Sequence, residues 1–339
     1  MGLFIVLVFA SLYSVQIGPS TISVNEILSV LASFIGLADS QSIDPQAMTI
    51  LAKIRIPRLI MGVIVGAGLA ISGCVMQALF RNPMADPGLL GVSSGAALGA
   101  MITIVLGVHF THYIPDGLVM HITPLMAFIG GLATLLIIHR LSRVNFRIDI
   151  PTMLLAGIAL NSIIGALIGL LSYISDDGQL RRLVFWGLGS LEVTDWTRIS
   201  IAIAITLPAS VVMTFYAKHL NANLLGENEA RHLGIDIEKM KTILVVLVSL
   251  IVGVCVALSG IIGFVGLLVP HLVRMVTGPD HRLLLPACGI FGAVLLVLAD
   301  ILARTLIAPA QIPIGIITAI LGGPFFLWLL VRYRRKLAL

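Results

Sequence analysis

The chain has 339 residues, 58% of them hydrophobic and only 11% charged, with a formal net charge of +5. So few charges cannot give polar cover to a water-soluble body of this size, which excludes a soluble globular enzyme or binding module. The basic residues are dispersed through connecting segments, so they read as membrane-orientation signals and not as a nucleic-acid surface.

A span needs about 20 apolar residues to cross about 30 Å of hydrocarbon, and the chain has room for about ten. This is an all-α integral membrane protein, read as a single transmembrane domain over 1–339. Residues 1–17 lack a basic flank and a small-residue cleavage site, and are taken as the first span rather than a signal peptide. The polar segment 18–53 contains STISVNEILSVLASFIG, an amphipathic helix for the membrane surface. Arg55-Ile56-Pro57-Arg58 opens the second span, which runs to about 80 and is followed by the loop RNPMADPGLLG. Spans three and four cover about 92–108 and 121–138, on either side of the loop HFTHYIPDG. The charged turn HRLSRVNFRID leads into span five, about 151–172. After SDDGQLRR, the apolar piece 183–191 is too short to cross and reads as a re-entrant or interfacial helix. Span six is about 196–217.

The stretch 225–241, LGENEARHLGIDIEKMK, then places seven charged residues in seventeen positions. It must stand outside hydrocarbon, as two short helices separated by Gly234. Spans seven to ten follow at about 242–259, 260–278 (short, with Pro270), 283–302 and 312–331, ahead of the basic tail RYRRK. Ten crossings put both termini on the side of this platform. That side carries about twice as many Lys and Arg as the other, which makes it cytoplasmic.

Several motifs have a plainer reading beside the functional one. Gly62, Gly66 and Ala70, and likewise Gly91, Gly95 and Gly99, form small-residue faces for close helix packing. Gly91-Val92-Ser93-Ser94-Gly95 matches the nucleophile pattern of serine hydrolases, with His271 as a conceivable partner. That motif needs a strand-to-helix elbow, whereas here it opens a membrane helix. His109, His112 and His121 gather near one loop without a carboxylate or cysteine to complete a metal set. Asp300 is best paired with Arg304 four residues on. No other acid lies clearly inside a span, which argues against a proton-coupled secondary transporter. Cys74, Cys255 and Cys288 read as free buried thiols. No phosphate-binding G-x-x-x-x-G-K-[ST] loop occurs, so any ATP that drives this chain is hydrolysed by a separate polypeptide docked on the platform.

RIPRLIMGVIVGAGLAISGCVMQALFRNPMADPGLLGVSSGAALGA, GENEARHLGID, GFVGLLVPHLVRMVTGPDHRLLLPA and ADILARTLIAPAQIPIGIITAILGGPFFLWLL resemble the permeases of ABC importers for iron-siderophores, haem and cobalamin. The resemblance runs from about 55 to 330. It implies the type II importer permease fold and a homodimer or paralogue pair of permeases in the bacterial inner membrane. Two ATPase subunits using ATP and Mg, and an external substrate-binding protein, complete the machine; no cofactor is held by the chain itself. Residue by residue, it implies that Arg55, Arg58 and Arg304 meet carboxylates of the binding protein at an exposed rim. Glu227, Glu229, Ala230, Arg231, Leu233 and Gly234, within 220–241, would couple to the ATPase. Asn82 and Met84 would form the cytoplasmic gate. Span five, with Asn161, Ser162 and Gly165, would line a small, apolar pathway beside the 183–191 helix. The expected cargo is a ferric siderophore, with haem and cobalamin as the alternatives within the family.

Overall fold

The computed structural model describes residues 2–18, 22–34, 44–107, 116–144, 147–192 and 194–337. His109 and His112 lie outside the described residues. His121 is within a helix, and the described residues hold no group of three or more His, Cys, Asp or Glu able to bind a metal.

Fifteen α-helices, one π turn, one 3₁₀ turn and one minimal hairpin are the regular elements of the described residues. α1 (Gly2–Gln16) is followed by the amphipathic α2 (Val24–Phe34), which buries Ile27 and Val30. Its start is a capping arrangement: Ser23 N–H donates to the Glu26 carboxylate at 2.7 Å, and Glu26 N–H to Ser23 Oγ at 3.2 Å. The second span begins earlier than its Arg-rich opening implied. α3 (Pro45–Ile50), capped by Asp44, runs through a π turn at Leu51–Arg55 into α4 (Ile56–Leu79). Polar residues in the first turns hid this start, because a hydropathy boundary follows the bilayer and not the helix.

α4 is the axis of the fold, packed by α14 (His281–Thr305), α13 (Val265–Thr277), α12 (Ile237–Ser259), α9 (Trp196–Phe215) and α1. Close approach needs glycine at the crossings: a methyl group on Gly66 would overlap the Gly292 carbonyl, and one on Gly95 the Gly130 carbonyl. α5 (Val92–Leu106), preceded by a 3₁₀ turn at Pro87–Leu90, packs on α6 (Asp116–Leu141). Since no strand enters α5, Ser93 has no nucleophile elbow. The turn after α6 is a two-stranded antiparallel hairpin, β1 (Arg143–Val144) and β2 (Arg147–Ile148). It leads directly into α7 (Ile150–Tyr173), whose outer surface is mostly open.

The segment expected to be re-entrant or interfacial is α8 (Asp177–Gly187), which starts about six residues before the apolar piece 183–191 because Asp176 and Gln179 form a capping box in the polar run. The loop after α8 is held by Ser190 N–H to Ser259 O, Ile314 N–H to Gly189 O and Gly315 N–H to Leu188 O, joining α12 to the start of α15 (Ile314–Leu337). Six described helices are long and apolar enough to cross a membrane, and four shorter apolar ones complete the ten runs.

Candidate functional sites at the two ends of the bundle

The platform differs from two short helices. α10 (Ala217–Leu225) ends at Gly226, with φ +129°, and α11 (Glu227–His232) ends at Gly234, with φ +82°; both are backbone states that favour glycine. The expected second short helix is the first turn of α12, capped by Asp236, so the platform is built rigidly onto a span. α11 buries Ala230 completely and presents Glu229 and Leu233 outward. Leu225 and Leu233, 69% and 65% exposed, flank it; apolar side chains left open among charges mark a surface for a partner.

Behind α11 lies a set of ion pairs. Lys241 Nζ is 2.8 Å from Glu227 Oε1 and 3.9 Å from Glu238 Oε1, and Arg231 Nη2 is 3.3 Å from Glu238 Oε1. Glu238 Oε2 also accepts the Ile148 N–H at 2.9 Å. Lys241, expected in the exposed platform, is buried. These groups face a polar cleft of about 1010 Å³ whose other walls are Phe80, Arg81 and the head of α7 at Asp149 and Thr152. Hydrogen bonds from Thr152 lead in holding the Asp149 carboxyl below its ordinary range, as a helix cap should.

The loop proposed as the gate borders this cleft. Arg81 takes a left-handed backbone, φ 48°, and Asn82 Oδ1 accepts the Met84 N–H at 2.9 Å. Asn82 is exposed and Met84 half-buried. Burial pushes the nearby Asp86 carboxyl up, partly offset by the Gly88 N–H that it accepts.

At the opposite end, the three arginines come together, but not at an exposed rim. Arg55 and Arg58 are 5% and 7% exposed. Arg58 pairs with Asp300 at 2.9 Å and donates to Gln311 Oε1 at 2.7 Å, while Arg304 is 3.0 Å from the same Asp300. Arg304 also donates to the carbonyls of Ile17 and Ser14, and Arg55 to those of Val15 and Gln16. α1 has no basic residue in its last turn, so cations from two other helices satisfy its terminal carbonyls. The expectation of exposed arginines is therefore corrected: they are occupied inside the subunit. The four-residue spacing predicts the Asp300–Arg304 pair, but nothing local marks its sharing with Arg58 across 242 residues.

Beside this cluster opens a cavity of about 490 Å³, lined among others by Arg58, Arg182, Trp186, Glu192, Arg198 and Gln311. On α7, Ser162 and Gly165 lie on the open surface, with nothing within 4 Å of a methyl group built at Gly165. Asn161 is half-buried instead, its Oδ1 lying 3.2 Å from where a Gly91 side chain would begin. The three expected lining residues thus divide, two outward and one inward.

The model of the FecCD transport family matches residues 5–332. The hemin transport system permease protein HmuU of Yersinia pestis is 48% identical over 84% of both chains. The cobalamin import system permease protein BtuC of Halobacterium salinarum is 40% identical over 84% of this chain and 74% of that one. A solved ABC transporter assigned to the metal-chelate type, in an inward-facing conformation, superposes with a TM-score of 0.83 at 33% identity, covering 98% of each chain.

Proposed function

The chain belongs to the FecCD transport family and is the membrane permease subunit of an ABC importer, not an enzyme; from that premise we propose that its cargo is haem. The observation that carries this is the 48% identity, over most of both chains, with a hemin permease. The cavity beside Arg182 and Trp186 supports it, since it sets a cationic group against an aromatic wall, as a planar chelate bearing carboxylates requires. Cobalamin is the second reading, resting on the 40% identity with a cobalamin permease. The ferric siderophore expected from sequence has no such particular support among these relatives.

The permease works as a homodimer with two ATPase subunits at the α11 platform and a binding protein at the far end, both termini facing the cytoplasm. Docking of the binding protein acts through the rim that Arg55, Arg58 and Arg304 hold in place. Asn82 and Met84 close the route on the cytoplasmic side. Ser162 and Gly165 face it, and a smooth apolar wall lets a bulky chelate leave as readily as it enters.

The test is uptake into proteoliposomes holding permease, ATPase and binding protein. ATP-dependent, vanadate-sensitive entry of haem, not competed by excess cobalamin or ferric siderophore, is expected. Entry of either competitor in place of haem overturns the cargo assignment.

A further inference from the structure

The geometry points to Glu238 as a positioning residue that ties the platform helix to the head of α7, so that displacement of α11 is delivered to the helix with the most open surface. This rests on the reading of α11 as the ATPase contact. Three observations carry it. First, Glu238 sits in the opening turn of α12 and uses its two carboxylate oxygens on two different bodies: Oε1 meets Arg231 of α11 at 3.3 Å, and Oε2 accepts the Ile148 N–H at 2.9 Å. Second, the connection on each side of it is stiff. Buried Lys241, one turn on, anchors Glu227 of α11 at 2.8 Å. On the other side Asp149 N–H donates to Ser142 O at 2.9 Å, closing the hairpin, and the Asp149 side chain caps α7 through Thr152 N–H. Third, Ile148 is a buried residue at the edge of the polar cleft, so the bond to its N–H fixes the carboxylate to backbone that packing already holds in place.

A charge-assisted bond of this kind is short and directional, and transmits position in a way that an apolar contact free to slide does not. Across the adjoining cleft stand Phe80 and Arg81, so the loop with Asn82 and Met84 borders the space that a shift of this junction would reshape.

The experiment uses the complete transporter in proteoliposomes. Spin labels at cysteines replacing the exposed Arg143 and Asn228 report the distance between hairpin and α11; the native cysteines are buried. With Glu238 present, the distance distribution is expected to be the same without nucleotide and with ATP plus vanadate, because the two elements move as one. In Glu238→Gln the distribution should shift or broaden on trapping, and haem taken up per ATP hydrolysed should fall about tenfold. ATPase co-purification and hydrolysis should persist. Glu238→Asp should restore part of the ratio. Ile148→Pro removes the N–H, together with the buried isoleucine side chain and backbone freedom at that position; it should reproduce the uncoupling and serves if Glu238→Gln does not fold. An unchanged distribution and ratio in Glu238→Gln overturns the assignment, as does loss of ATPase association, which would make Glu238 a structural element of the docking surface. If the unmutated transporter moves no haem, the cargo reading fails by itself, and the label distances still decide this one.

Discussion

The two ends of the bundle use the same chemistry, guanidinium and ammonium against carboxylate, in opposite surroundings. At the α1–α4–α14 end the Asp300, Arg58 and Arg304 side chains are 4%, 8% and 10% exposed, and they pair with one another across helices. At the platform end Arg231 and Glu238 are 38% and 25% exposed, and only Lys241 is buried. Burial decides what each cluster is for. A dry cluster locks three helices together, because losing one member strands charge in low dielectric. A half-wet cluster holds position while its members can still exchange partners with water, which suits a surface that must respond to a neighbouring subunit.

The largest effect expected from breaking this contrast is at Asp300. Asp300→Ala leaves two buried guanidiniums without their shared carboxylate and should cost about 3–5 kcal/mol, read as a lowered Tm of the detergent-solubilised permease. A change no larger than that of a surface mutation would mean that water reaches the cluster. Next is Glu227→Ala, which strips the near partner from buried Lys241 while Glu238 stays 3.9 Å away; a loss of about 1–3 kcal/mol is expected. Smallest is Arg231→Ala, at about 0–1 kcal/mol. Its remaining effect should vanish in high salt, where exposed pairs are screened. A reversal of this order, with Arg231 dominating stability, would remove the distinction between the dry and the half-wet cluster.

Both clusters are legible in the sequence, but the burial of the arginine cluster is not. The charge-dense stretch after span six is conspicuous in an apolar chain, and its placement outside the membrane follows from solvation cost alone. Its division at Gly234 was also legible, because left-handed backbone favours glycine. What α11 buries was not: Ala230 and Lys241 face inward because of how α12 continues, and no local pattern marks them. At the other end, Arg-Ile-Pro-Arg looks like an exposed, charged entry to a span. Only the return of α14 and the end of α1 show where the guanidiniums go.

The amino-acid sequence by itself determined the class of molecule, the ten apolar runs and the polar platform. Each follows from transferring a contiguous stretch of side chains into hydrocarbon or keeping it in water, a free energy that adds up locally along the chain. The tertiary structure alone decided which charges are satisfied within the subunit, that Asp300 serves two arginines 242 and 4 positions away, and that Glu238 reaches the hairpin before α7. Those pairings depend on directional bonds between segments distant in sequence, and their geometry exists only once the helices have packed.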